Sequence, residues 1–364
     1  MQISGKNLRR GIGVLILILI LFVMNMALPY LITPDAEPKS GFEVEVITEE
    51  LGAATCLHWV DSDWLLVCDN EADAITMYRL VDNSTSNKRE LVTGFQQPQG
   101  VLYDNTTNRL FVSDRGRLTR FDLNGSSPAE WQAENRTVLI EGVPAGNHQT
   151  NAINMASNGS LIWHSGSTCN VCDESDIRNA ALLSVDPENG THHVIATGVR
   201  NSFDGVLIPG LGYVFTDNGR DWEGESSPYE ELNLLEIDGF YGWPEDTPET
   251  PIPNGSLPPV ATFTPHSSAN GIALRPASSS LPGGEYTVYV TTYGSWNAAI
   301  PTGSELIRVD LIADPDSSQG WRAETSVVVD ELPGALGIDF HPNGDLYVAQ
   351  HSSGRLLRIS GQNI

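Results

Sequence analysis

The sequence predicts an all-β chain, a six-bladed β-propeller with an N-terminal transmembrane helix, and three observations carry the prediction. A long apolar stretch opens the chain. A strand-and-turn pattern then returns six times. The composition between is that of a closed β architecture, with 34 Gly, 22 Pro and frequent Val, Ile, Thr and Tyr.

Lys6, Arg9 and Arg10 precede an apolar run from Ile12 to Ile32, broken only by Gly13, Asn25 and Pro29. About 20 apolar residues suffice to cross a bilayer core as one helix. The basic flank holds the N-terminal side in the cytoplasm, so everything after Thr33 is expected outside. A cleaved signal peptide is the competing reading, but no small-x-small site follows the run. Residues 1–33 thus read as a cytoplasmic stub and signal-anchor that makes the chain membrane-anchored and extracytoplasmic. Residues 34–41, containing PDAEPKS, read as a polar linker, and residues 42–364 as the propeller.

The last repeat is the clearest: SVVVDEL (326–332), GALGIDF (334–340), a HPNG turn, DLYVAQ (345–350), HSSG and RLLRIS (355–360). An earlier copy reads RELVTGF (89–95), QGVLYD (99–104), NTTN, RLFVSD (109–114), RGR and LTRFDL (118–123). Each copy places an outer strand before its inner ones. The first strand, near Phe42 to Thr48, should therefore complete the last blade and remove the open edges of the ring.

Successive antiparallel strands alternate direction, which sorts the loops onto two faces. With strands A to D running from the axis outward, the loops entering A share a face with the B–C loops. Seven N-x-S/T sequons (Asn83, Asn105, Asn124, Asn135, Asn158, Asn189 and Asn254) are assigned to A–B or C–D loops on the opposite face, as suits a glycosylated, exported chain. The first face holds the unusual sequences around His148, Cys169 to Asp176, Arg200-Asn201, Asp217 to Glu231, His266 and Ser295-Trp296-Asn297.

The formal charge of −26 argues against a nucleic-acid partner, since phosphate contacts need clustered cations. After residue 33 the only lysines are Lys39 and Lys88. The cysteines form two local pairs, Cys56 with Cys68 and Cys169 with Cys172, which outside the membrane are disulfide candidates. Cys169 and Cys172 could also suit redox chemistry or half a zinc site, but no second pair or nearby His pair completes a metal set.

His148, entering the third blade at the funnel rim, has a side chain suited to a general base, and Arg200 could hold a carboxylate. Asp217 and Asp221, in a loop rich in Asp and Glu, offer oxygen ligands of the kind Ca²⁺ takes. Trp243 and Trp296 could stack on a sugar or a planar cofactor, core packing being the plainer role.

Three strings are more specific. They are Gly166-Ser167-Thr168-Cys169-Asn170-Val171-Cys172-Asp173-Glu174, Thr216-Asp217-Asn218-Gly219-Arg220-Asp221 with Phe240-Tyr241-Gly242-Trp243-Pro244, and Tyr293-Gly294-Ser295-Trp296-Asn297. Over nearly the whole chain after the linker, the sequence resembles the glucose/sorbosone dehydrogenase family of soluble quinoproteins, in its sorbosone dehydrogenase branch. The resemblance implies pyrroloquinoline quinone (PQQ) over the funnel, Ca²⁺ polarising its carbonyls, and a sugar substrate oxidised by hydride transfer. Carried over, His148 is the base, Arg200 contacts the quinone oxygens, and Gln97, Asn201, Trp296 and Asn297 line the cofactor site.

The chain departs from that pattern at Ala298 and Ala335, where the family places arginines that face the cofactor carboxylates. Each charged hydrogen bond lost is worth about 1.5–3 kcal/mol. The alternative is therefore a non-enzymatic propeller of the same lineage that binds a glycan or protein, and a Ca²⁺-dependent lactonase is a third possibility. Neither the sugar nor the electron acceptor is written in the sequence.

Overall fold

The structure, a computed structural model, describes residues 12–17, 20, 34–82, 84–252 and 255–362. Most of the expected anchor lies outside the described residues, and among the described residues no helix is long and apolar enough to cross a membrane.

The rest is a ring of six β-blades. From the axis outward, blade 1 is Ala54–Trp59, Trp64–Asp69, Ala74–Val81 and Ser84–Thr93; blade 2 is Gly100–Asp104, Arg109–Asp114, Arg117–Asn124 and Gln132–Ile140. Blade 3 is Thr150–Met155, Leu161–Ser165, Ala181–Val185 and His192–Thr197; blade 4 is Ser202–Ile208, Gly212–Asp217, Glu230–Leu234 and Ala261–Phe263. Blade 5 is Ala269–Leu274, Thr287–Thr292, Glu305–Ala313 and Trp321–Asp330. Blade 6 is Ala335–Phe340, Leu346–Gln350, Arg355–Gly361 and Phe42–Thr48.

The N-terminal strand closes the ring as expected: Phe42, Val44 and Val46 pair with Gly361, Ile359 and Leu357. The linker is less free than its composition suggests. Glu37 and Pro38 add a short strand to the outside of blade 5, against Asp330 and Val329. Blade 3 is widened in the same way by Gly239–Phe240, which runs parallel to its outer strand at Ala196 and Thr197.

Second strands such as Trp64–Asp69 and Leu161–Ser165 are buried along their whole length. They are covered by neighbouring blades on both faces, which is why they read as continuous apolar runs rather than alternating ones. The core is correspondingly divided into wedges between adjacent blades, such as Leu66, Leu110 and Phe121 between blades 1 and 2 and Tyr289, Leu306 and Leu346 between blades 5 and 6. Truncating one such leucine to alanine costs about 2–5 kcal/mol. Inner strands approach so closely at the axis that side chains are excluded at some positions. A Cβ on Gly271 would lie 2.2 Å from the Leu336 carbonyl oxygen, and one on Gly337 would lie 2.9 Å from the Cys56 Cα.

Both cysteine pairs are disulfides, Cys56–Cys68 and Cys169–Cys172. Asn105, Asn158 and Asn189 occupy turns on the face assigned to them, and Asn124 ends the third strand of blade 2. Asn135 departs from expectation: it sits inside the outer strand of blade 2, at an irregularity between Glu134 and Thr137, with a positive φ of 50°. Asn tolerates that conformation better than most residues. Asn83 and Asn254 lie outside the described residues.

Candidate functional site

The site is built on the end of blade 4's second strand. Asp217 accepts backbone N–H bonds from Arg200 (2.9 Å), Asn201 (2.7 Å) and Asn218 (3.0 Å). This one buried carboxylate therefore shapes the turn that presents Arg200 and Asn201 to the funnel. Burial pushes Asp217 up to about 7, opposed by those N–H groups and by Arg200. Burial, with the Asp217 charge beside it, pushes the neighbouring Glu231 well above the usual carboxylate range. The three N–H donors favour the charged form of Asp217, which is why Glu231 is raised further than Asp217.

Arg200 is almost wholly buried. Its Nη2 pairs with Asp221 Oδ2 at 2.5 Å and donates to Asn170 Oδ1 at 3.0 Å, while Nη1 donates to the Asn218 carbonyl at 3.3 Å. Its Nε has no partner. Asn297 Nδ2 donates to the other Asp221 oxygen at 2.8 Å. Asn170 belongs to the disulfide loop and joins three parts of the site. Its side chain receives Arg200 and the Asp221 N–H (2.8 Å), and its carbonyl receives Trp243 Nε1 (2.9 Å).

His148 stands opposite. Its Nδ1 lies 2.9 Å from Ser167 Oγ, and that hydroxyl donates to the Cys169 carbonyl at 2.7 Å. With its hydrogen committed, Ser167 can only accept from Nδ1–H, which leaves His148 Nε2 as an unprotonated acceptor. Burial, with the Arg200 charge second, lowers the His148 pKa to about 3. His164 is lowered equally by burial, but Ser202 and Tyr213 occupy both its nitrogens and make it structural. Gly166 permits the arrangement, because a Cβ there would sit 2.7 Å from His148 Cβ and 3.1 Å from Asn201 Oδ1.

These groups surround a cleft of about 590 Å³ that brings His148, Arg200, Asn201, Trp296 and Asn297 together. An adjoining hollow of about 210 Å³ on the axis shares His148 and Asn201 and is lined by amides, including Gln97, Gln149 and Asn270, with Arg115. Gln97 thus belongs to the axial hollow, where its Oε1 receives Arg115 Nη1 at 3.1 Å. Arg200 and Arg115 are the only arginines or lysines lining either space among the described residues.

Several expectations need correction. Trp243 is buried beneath the disulfide loop and cannot stack on a ligand. Asp217 lies under the funnel floor with both oxygens on backbone N–H groups, and both oxygens of Asp221 are taken by Arg200 and Asn297. Among the described residues, ligand atoms of three His, Cys, Asp or Glu side chains converge only at Cys169, Cys172 and Glu174, where both sulfurs are in the disulfide. Ala298 and Ala335 are buried, Ala335 within the wedge between blades 5 and 6. Arg115 and Trp222 were not singled out from the sequence, and Asn170 was quoted only as part of a motif, with no role. The position of Asn170 inside CNVC, within the quoted motif, was the available signal.

No protein-family model matches the chain. A curated protein of Borreliella burgdorferi, described only as uncharacterized, is 24% identical over 252 residues, 62% of this chain and 65% of that protein. The match therefore spans less than two thirds of that relative's length. Among solved structures, the holo form of the pyranose dehydrogenase PQQ domain from Coprinopsis cinerea superposes with a TM-score of 0.74 at 18% identity, covering 90% of this chain and 98% of that one. The calcium structure of a Trichoderma reesei carbohydrate-active enzyme of family AA12 gives 0.75 at 18% identity, over 91% and 98%. The PQQ-bound aldose sugar dehydrogenase of Streptomyces coelicolor gives 0.67 at 17% identity, over 89% and 100%. The structural neighbours are thus PQQ-dependent sugar dehydrogenases, and at these identities what is shared is the propeller fold.

Proposed function

We propose that the chain is a glucose/sorbosone dehydrogenase-like enzyme that oxidises a sugar in its funnel with PQQ as cofactor. The observation that carries this is His148: a neutral imidazole whose free Nε2 shares a cleft with a buried arginine. The donor set suits a planar carbonyl-bearing group. Arg200 keeps an unpartnered Nε, and the Asn201 Oδ1 is held by Asn151 Nδ2 at 3.0 Å, which leaves its own N–H groups for a ligand. Arg200 and Asn201 would hold the carbonyl end, and Gln97 with Arg115 would face the acidic end. PQQ, when bound, supplies a two-electron acceptor for the hydride leaving the sugar carbon.

His148 Nε2 accepts the proton of the reacting sugar hydroxyl. Its low proton affinity is no obstacle, because loss of hydride from the same carbon makes that hydroxyl strongly acidic, and a weak base then suffices. Arg200 stabilises negative charge developing across the cleft, in a buried setting where such charges act strongly. Asp217 and Asp221 do not fit a cation while their oxygens hold these partners, so no step is assigned to Ca²⁺. Extracytoplasmic placement and anchoring by residues 1–33 rest on the basic-then-apolar N-terminus and belong to the same proposal.

The test is calorimetric titration of the full chain with PQQ in the presence and absence of Ca²⁺, followed by assay of aldose oxidation. Saturable binding at micromolar PQQ or tighter, with aldose-dependent reduction, supports the reading. No binding up to millimolar PQQ overturns it in favour of a glycan- or protein-binding propeller, the reading that the buried Ala298 and Ala335 favour.

A further inference from the structure

Two tryptophans at the mouth of the cleft are exposed to a degree unusual for so large an apolar side chain. Trp222 is 70% exposed and Trp296 54% exposed, and both line the same cleft as His148 and Arg200. Their rings meet edge to face, 5.3 Å between centroids at 89°, so each leaves a broad face open to solvent. They come from different blades, Trp222 from the loop after Asp217 and Trp296 from the loop after Thr292.

The pair is held in place. Asn297 Nδ2 donates to Asp221 Oδ1 (2.8 Å), and the Ala299 N–H donates to Glu225 Oε2 (2.9 Å), tying the two loops together on either side of the rings. His266 Nε2 adds a third tie, 2.6 Å from the Gly224 carbonyl. Trp222 itself has a φ of 70°, a left-handed conformation that a bulky side chain adopts only when its surroundings impose it. Three cross-loop bonds and an imposed backbone maintain an aromatic corner that stays largely exposed. The corner continues the cleft outward on the face where none of the seven sequons was placed.

We propose that Trp222 and Trp296 form an outer carbohydrate subsite and that the substrate is a glycan chain of two or more units, with its reducing end at His148. This rests on reading the cleft as a sugar site. The apolar faces of pyranose rings pack on tryptophan faces, while ring hydroxyls need acceptors nearby. Glu223 and Glu225 follow Trp222 on the same loop; one oxygen of each accepts, from Arg220 and from the Ala299 N–H respectively, and the second oxygens are the candidate acceptors. The cleft volume of about 590 Å³ lies in the range of pockets that enclose drug-sized ligands, about 300–1,000 Å³. A rigid aromatic platform binds with little loss of side-chain freedom, so the added units gain affinity by preorganisation.

The experiment is a tryptophan-fluorescence and calorimetric titration of the full chain, without added cofactor. The probes are glucose and the β-1,4- and α-1,4-linked gluco-oligosaccharides of up to five units. The expected result is a rise in affinity of about tenfold or more between glucose and the trisaccharide in one series, each tenfold being about 1.4 kcal/mol. Trp222→Ala and Trp296→Ala should each remove that rise, and Trp222→Ala should leave glucose binding within about twofold. Trp222→Phe, which keeps a stacking face, should retain part of it. Affinity independent of chain length, or a length dependence unchanged in both alanine variants, overturns the subsite. Because binding is read without turnover, the outcomes separate. Length-dependent binding without PQQ-dependent oxidation sinks only the enzymatic reading, and oxidation of glucose without length dependence sinks only the subsite.

Discussion

The pairing of Arg200 with Asp221 makes a stability prediction whose size follows from burial. Arg200→Gln removes a guanidinium whose side chain is 5% exposed from a carboxylate that is 18% exposed. Breaking a buried pair on one side costs about 3–5 kcal/mol, mostly through the charge left behind. Asp221 retains some solvent, so the lower end applies, about 3 kcal/mol. In a domain of this size that corresponds to a fall in Tm of about 6 °C, at about 2 °C per kcal/mol. Asp221→Asn strands the arginine instead and should cost a similar amount. In the double variant neither charge is stranded, so its loss should fall short of the sum of the single losses by about 2 kcal/mol. The effect should also depend on pH. Arg200 lowers the pKa of both Asp217 and Glu230, each of which burial raises to about 7. Without the arginine these groups ionise later, and a raised group loses stability as pH rises through its folded value. The deficit of Arg200→Gln should therefore be larger at about pH 8 than at about pH 6. Urea unfolding of the four proteins at both pH values measures all of this. A single-variant cost below about 1 kcal/mol, the worth of a surface pair, with additive losses in the double variant, would refute the assignment of a buried, coupled pair.

Three further predictions follow from the same geometry. His148→Ala should lower turnover by about 10²–10⁴-fold; in the wild type kcat/KM should show no acid limb near pH 6.5, because His148 titrates at about 3. Asp339, buried on the N–H groups of Trp59 and Phe340 (both 2.8 Å), is raised by burial from 3.8 to about 7. The wild type should therefore lose up to about 4 kcal/mol through this group as pH rises between those values, and Asp339→Asn should flatten that slope in urea midpoints at about pH 5 and pH 8. Replacing Cys56 and Cys68 together by Ser opens a link between residues 12 apart and should cost about 3 kcal/mol by loop-closure entropy, read by thermal unfolding under oxidising conditions.

The ring was legible because its information is local. Apolar runs for doubly covered second strands, turns between them, and an N-terminal strand lacking its own blade all lie within one repeat or follow from repeat order. The face bearing the cleft was legible for the same reason, since strand alternation alone sorts loops to one end or the other. His148, Arg200, Asn201, Trp296 and Asn297 line one cleft. What each does there was decided by tertiary structure. Asp221 reads as a cation ligand in a loop dense with carboxylates, yet it holds Arg200 from 21 positions away and Asn297 from 76. Asn170 reaches it across 51. Trp243 and Trp296 look alike in sequence, but one is buried under the disulfide loop and the other opens to solvent. Separations of that length are set by how blades pack around an axis. The charge partner of a buried group is whatever the neighbouring blade brings within about 3 Å, and repeat periodicity says nothing about that.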